Sequence, residues 1–242
     1  MPPSPTTRRQ LLAASALFGI TAPAAARTLR EVLPWSPNEA YPPTRVLPGP
    51  WLFFTATEAA TVEAIADRLI PADELGPGGR EAGCAVFIDR QLAGPYGRSA
   101  WLYMRPPFAR GTPQQGLQDE DPPAVQYRKG LDALSAHCTR AFGGRRFPEL
   151  APEQQDQVLT AMEAGEVGIE DRDSKAFFEL LLTNMTEGFF ADPIYGGNRD
   201  MCGWKLLGFP GTRYDYREVL GRPNQTYMLP PVALTGRPEW AR

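Results

Sequence analysis

Four carboxylates, one histidine and three cysteines are the groups in this chain whose types and spacing could do chemistry. Asp67, Asp73, Glu81 and Asp89 lie close together in sequence. Paired carboxylates can divide proton donation and acceptance between them. Each also has a plainer reading: Asp73 precedes a turn, and Asp67 and Asp89 belong near helix ends or on solvated faces. Arg68 and Arg90 stand beside them, free to pair with other acids. The single histidine, His137, adjoins Cys138. A Cys–His dyad needs its two side chains to face each other, and neighbours on a helix diverge by about 100°. His137 therefore reads as a surface or partly buried residue. Cys84, Cys138 and Cys202 are too far apart for a CxxC pair. They read as buried small apolar side chains, with an intermolecular bridge as the alternative.

The inventory excludes further classes. One histidine rules out a multi-histidine metal site, and no CxxCH, GxGxxG, Walker A or GxSxG word occurs. No catalytic, cofactor-binding or metal residue is therefore assigned to this chain. Its 25 Lys+Arg against 28 Asp+Glu leave a net charge of −3. That argues against a nucleic-acid binder, which normally shows a basic excess. A hydrophobic content of 43% with 10% aromatics is too high for a disordered chain. The 242 residues bound the protein to one domain or two. The 23 glycines and 26 prolines are an excess without a period.

The first residues read as an address. Arg8 and Arg9 form a paired-arginine motif, followed by a mildly apolar stretch from Leu11 to Thr21 and by Ala24-Ala25-Ala26. About eleven apolar residues cannot span a bilayer, which needs about 20. The pattern is that of a twin-arginine signal peptide over 1–26, with Leu11 where phenylalanine is usual. Cutting after Ala26 removes two arginines and no acids. The twin-arginine route carries folded proteins, mainly those with inserted cofactors. A signal without a cofactor motif suggests a chain that escorts a partner.

The elements that must position these groups read as helices. Residues 27–54 are an extended, proline-rich arm carrying Trp35, Tyr41 and Trp51. Thr55-Ala56-Thr57-Glu58 fits a capping box, and Val62, Ile65, Ala66 and Leu69 fall on one helical face, which Pro71 ends. A second helix over about 82–92 turns Ala85, Ile88 and Leu92 to one side. A long loop over 94–123 holds Trp101, Tyr103 and Phe108, whose rings suggest ordered packing. A third helix over about 124–142 carries Tyr127, Leu131, Leu134, Cys138 and Phe142, and Gly143-Gly144 stops it. A fourth starts at Pro152, with Val158, Leu159 and Met162 inward. A fifth, capped by Asp173 or Ser174, turns Phe177, Phe178, Leu181, Leu182 and Met185 inward. A short helix covers about 200–206. The fold class is all-α, five or six helices with long Pro/Gly/aromatic loops. The organisation is signal 1–26, arm 27–54, helical domain 55–211 and C-terminal tail 212–242.

Several words in this chain resemble a known family. They are Asp67-Arg68-Leu69-Ile70-Pro71-Ala72-Asp73, then Glu81-Ala82-Gly83 and Phe87-Ile88-Asp89, then the block from Glu187 to Gly211. Together they resemble the subunit 3 family of gluconate 2-dehydrogenases, over most of residues 52–215. The resemblance implies a non-catalytic small subunit of a periplasmic, FAD-dependent sugar or polyol dehydrogenase. It implies a catalytic partner of the glucose-methanol-choline oxidoreductase type that binds the FAD. It also implies a cytochrome c subunit, with its haem c, as a common third member. Any link to a membrane would run through the complex. The small subunit is held to support folding, stability and export of the flavoprotein.

The block after Glu187 admits three readings. The Tyr195-Gly196-Gly197-Asn198 turn permits close backbone approach and could cradle a ligand, which would suit a stand-alone periplasmic enzyme or binding protein. It could equally be a tight loop under Trp204 and Phe209. The favoured reading is partner docking or local packing. As a docking surface it would comprise Phe189, Phe190, Tyr195, Asn198, Arg199, Trp204 and Phe209, together with Trp35, Tyr41 and Trp51 from the arm. Asp67, Pro71, Asp73, Gly196 and Gly197 are taken as structural. The proline- and glycine-rich segments, interleaved with aromatic rings, read as extended surface for another protein.

Overall fold

A computed structural model describes residues 44–109, 111–115, 120–168, 174–213, 215–227 and 229–236. They belong to one unit, Ser36–Arg242. The signal residues Arg8 and Arg9, and the arm residues Trp35 and Tyr41, lie outside the described residues.

The capping box forms as the sequence predicts. Thr55 Oγ1 accepts the Glu58 backbone N–H, and Glu58 accepts the Thr55 backbone N–H at 2.7 Å. Helix α1 (Ala56–Leu69) starts there and buries Val62, Ile65 and Ala66. A turn closed by Gly79 N–H to the Ile70 carbonyl leads to α2 (Cys84–Ala93). Helix α3 (Pro123–Ala141) buries Tyr127, Leu131, Leu134 and Cys138. Helix α4 (Pro152–Glu163) opens on the expected N1 proline and buries Val158, Leu159 and Met162. Helix α5 (Ser174–Phe190) follows, then the short α6 (Cys202–Leu207) and a single turn, α7 (Arg217–Leu220). The described residues contain isolated β-bridges but no sheet. The fold is all-α.

Helix α5 is the hub: it packs on α1, α2, α3, α4 and α6. Its apolar surface is wide enough for this because Phe177, Phe178, Leu181, Met185 and Phe189 are all buried. Leu182, read as part of that face, is instead exposed. It falls on the outer side of the one helix that is covered from several directions. One aromatic chain runs through the core, from Phe54 through Tyr127 to Phe177, the last pair edge-on at 5.5 Å. Asn184 bonds the buried Tyr127 hydroxyl at 2.9 Å and accepts from Tyr96 at 3.1 Å, so this core carries a satisfied polar thread.

Two segments differ from their reading as extended surface, and one from its reading as ordered packing. The root of the arm folds onto its own domain: Phe54 is buried, and Trp51 and Phe53 pack edge-on against it. Burying such rings stabilises by roughly 2 kcal/mol each, more than a free arm would retain. Part of the tail also returns. Thr212 N–H donates to the Val232 carbonyl at 2.7 Å, and Val232 and Ala233 are buried. The loop after α2 departs the other way. Trp101 and Tyr103 are 80% and 82% exposed, so their rings are not packed as the sequence suggested.

Candidate functional site

The carboxylates do not assemble into a catalytic group. Asp67 is half exposed and lies 4.0 Å from Arg80, which also meets Glu63 at 3.3 Å. Asp73 caps its own turn by accepting the Leu75 and Gly76 N–H groups. Pro71 is exposed just past the end of α1. Glu81 is exposed. Arg68 grips Asp156 with two bonds, at 2.7 and 2.6 Å.

Asp89 is the correction. Placed by the sequence reading near a helix end or on a solvated face, it is fully buried. Its two oxygens accept the backbone N–H groups of Leu52, Phe53 and Phe54, each at 2.9 Å, and it pairs with Arg90. The chain enters α1 through a non-helical stretch whose amides have no ladder partner, and a buried carboxylate satisfies them. No hydrophobic period could reveal this, because the donors are 35 to 37 residues upstream.

His137 is half-buried on α3, as the angular argument required, beside a buried Cys138. All three cysteines are free. Burial pushes the Cys84 thiol up to about 12 and the Cys138 thiol up to about 11, and raises Cys202 too. None is poised as a thiolate nucleophile. No group of three or more potential metal ligands occurs among the described residues.

The block after Glu187 is tightly organised around Asn198. This fully buried side chain donates to the Ala191 carbonyl at 2.8 Å and accepts the Gly203 N–H at 2.8 Å. Its own backbone is left-handed (φ 45°), as are Asp200 (54°) and Met201 (57°). Such angles cost of order 1–3 kcal/mol each and persist only where the surroundings over-determine them. Gly197 is required by close approach: a Cβ there would sit 2.1 Å from the Gly188 carbonyl oxygen. Gly83, at the start of α2 with φ 86°, is required twice over. A Cβ there would meet the Gly196 oxygen at 2.6 Å and Arg199 Nε at 2.8 Å.

The residues read as a docking surface therefore divide. Phe189, Asn198 and Trp204 are interior, Trp204 donating its indole N–H to the Phe190 carbonyl at 2.8 Å. Trp51 and Phe190 are half-buried against the core. Gly196 and Gly197 are buried, which suits the tight-loop reading. Tyr195 and Phe209 are 48% and 45% exposed, and Arg199 is partly exposed. Aromatic content alone does not distinguish a ring that docks a partner from one that fills its own core. Leu206 and Leu207, which the sequence reading passed over, extend the exposed apolar surface beside Phe209.

Two cavities lie among the described residues of this domain. One, of about 240 Å³, lies between the start of α1 and α3, lined by Thr55, Glu58, Asp132, Ser135 and Arg146. The other, of about 150 Å³, is lined by Arg45–Pro48, Pro193, Gly196, Arg199 and Asp200. Both fall below the roughly 300–1,000 Å³ of clefts that enclose drug-sized ligands. Neither fits a flavin dinucleotide.

The model of the gluconate 2-dehydrogenase subunit 3 family matches residues 56–211. The chain belongs to that family. The match begins at the first residue of α1 and ends at Gly211, so it covers the helical domain and the Asn198 block. No curated protein and no solved structure matches the chain. The family is that of an accessory subunit of gluconate 2-dehydrogenase, which accords with a non-catalytic role.

Proposed function

We propose that this subunit 3 chain is the small, non-catalytic partner of an exported FAD-dependent sugar or polyol dehydrogenase. The observation that carries the reading is the family match over the whole helical domain. The flavin would belong to a catalytic subunit of the glucose-methanol-choline oxidoreductase type, and haem c to a third, cytochrome subunit. This chain would hold the flavoprotein in its folded form by binding it, which stabilises a partner by mass action. The exposed apolar groups support a docking role: Trp101 and Tyr103 on one loop, and Leu206, Leu207 and Phe209 at the end of α6. The paired Arg8-Arg9 would direct the assembled pair through the twin-arginine route to the periplasm. No helix among the described residues is long and apolar enough to cross a membrane.

The test is co-expression with the flavoprotein and replacement of Arg8 and Arg9 by lysine. Acceptor-dependent dehydrogenase activity is expected to remain in the cytoplasm and disappear from the periplasmic fraction. Undiminished periplasmic activity overturns the escort role.

A further inference from the structure

We infer that the small pocket between Arg45 and Arg199 receives an acidic side chain of a protein partner. The inference rests on the docking role proposed above and assigns it a charged anchor. Both arginines line the same cavity of about 150 Å³. Arg68, Arg80, Arg90, Arg128, Arg146 and Arg217 each pair with an acid. The side chains of Arg45 and Arg199 make no such pair among the described residues, although Asp200 lines the same cavity.

Arg199 is held in place rather than loosely exposed. Its backbone N–H donates to the Ala82 carbonyl at 3.1 Å, and its Nε occupies the space that a Cβ on Gly83 would take. The left-handed residues on either side, Asn198 and Asp200, are locked through the buried Asn198 amide. The opposite wall is tied on by Val46 N–H to the Ile194 carbonyl at 2.8 Å, which brings Arg45 to the pocket. A pre-positioned guanidinium loses little freedom on binding, and its fork matches a carboxylate.

Charge and size bound the occupant. The cavity is smaller than the clefts that enclose drug-sized ligands and has room for a carboxylate group beside its two arginines. Val46, Leu47, Pro48 and Pro193 give it apolar walls, and Leu47 is exposed. Arginine is among the residues enriched at interface hot spots. The chain as a whole is net negative, so an acidic partner would be drawn to this point rather than to the surface at large.

The partner-free test titrates the full chain with N-acetyl-aspartyl methylamide, following arginine side-chain NMR signals. Arg45 and Arg199 signals are expected to shift, with the asparaginyl analogue inert and the response lost in Arg199→Gln. No shift, an equal shift with the asparaginyl analogue, or a response to inorganic phosphate alone overturns the inference. The second test measures affinity for the co-expressed flavoprotein. Arg199→Gln is expected to weaken it by about tenfold and Arg45→Gln by several-fold, both effects shrinking at high salt, while Lys205→Gln on α6 changes little. Arg45 is exposed, so its variant folds normally and guards against a folding artefact. A complex that forms equally well with both variants overturns this inference and leaves the accessory role standing. Absence of any complex overturns that role, and the aspartyl titration then decides the pocket alone.

Discussion

Replacing Asp89 with alanine tests the physical reading of the arm root most directly. The carboxylate is fully buried and accepts three backbone N–H groups, from Leu52, Phe53 and Phe54. A hydrogen bond to a charged group contributes about 1.5–3 kcal/mol, and a donor left buried without a partner carries its whole desolvation cost. The Phe54 amide is buried, so its bond is lost at full value. Those of Leu52 and Phe53 are only partly buried, and water recovers some of theirs. Arg90 also loses its partner, and it is itself mostly buried. Together these losses come to about 4 kcal/mol. For a domain of this size that lowers the unfolding midpoint by roughly 10 °C. Asp89→Asn keeps one accepting oxygen but turns an amide donor toward another donor, so it should fall about halfway. The assay is thermal and urea unfolding of the purified chain, with chymotryptic cleavage at Trp51–Phe54 as a local probe. Cleavage there should accelerate in both variants. An Asp89→Ala midpoint within about 2 °C of the unsubstituted protein refutes the carboxylate's role.

The same packing sets four further outcomes. Burial opposes ionisation of Glu58, but bonds from Arg128 and from Thr55 outweigh it and hold this carboxyl below its usual 4.5. The stability it contributes is therefore complete above pH 4.5 and is lost as pH falls through the lowered value. Urea midpoints taken between pH 7 and pH 3 should fall more steeply for the unsubstituted chain than for Glu58→Gln, and equal slopes would contradict this. Gly197→Ala forces a Cβ to within 2.1 Å of a carbonyl oxygen, so it should destabilise by about 3 kcal/mol in urea titration or fail to fold. Gly143→Ala, where nothing lies within 4 Å, should cost only about 1 kcal/mol for its left-handed backbone. Native-state thiol labelling should reach Cys202 first, because Cys84 and Cys138 are buried with raised pKa values. Equal labelling rates for Cys84 and Cys202 would show that α2 opens far more readily than its packing allows.

Helix boundaries were legible because their signals are local. Thr55 and Glu58 satisfy each other's free amides within one turn, Pro152 occupies a position whose N–H has no partner, and Gly143-Gly144 takes positive φ angles. Each of these can be read within about four residues. What escaped was long-range. Asp89 looked solvated because a charge on a helix usually is, and its partners are main-chain amides that carry no side-chain signature. Trp204 and Phe189 looked like docking residues because a large ring signals a need for burial without saying against what. Trp101 and Tyr103 carried the same signal and are exposed. Ring content locates apolar demand, and only the tertiary contacts say whether the chain meets that demand itself.

The words that carry the family resemblance also converge in space. The turn after Pro71 closes on α1 through Gly79 N–H to the Ile70 carbonyl, and Gly79 in turn accepts the Cys84 N–H at the start of α2. Gly83 then meets Gly196 and Arg199, and Gly188 lies against Phe87 and Cys84. Asp89, two residues past Phe87, ties the arm root to the same helix. Almost every one of these residues is used up by backbone contact, so the block is a junction of three chain segments rather than a constellation of reacting groups. Arg199, at that junction, lines a cavity together with Arg45 and Asp200, and neither arginine pairs with an acid among the described residues. The buried Asn198 amide and the left-handed backbone on either side of Arg199 hold it at the edge of that cavity. The interaction site proposed above thus rests on a side chain whose backbone is fixed, whereas Trp101 and Tyr103 stand on an exposed loop.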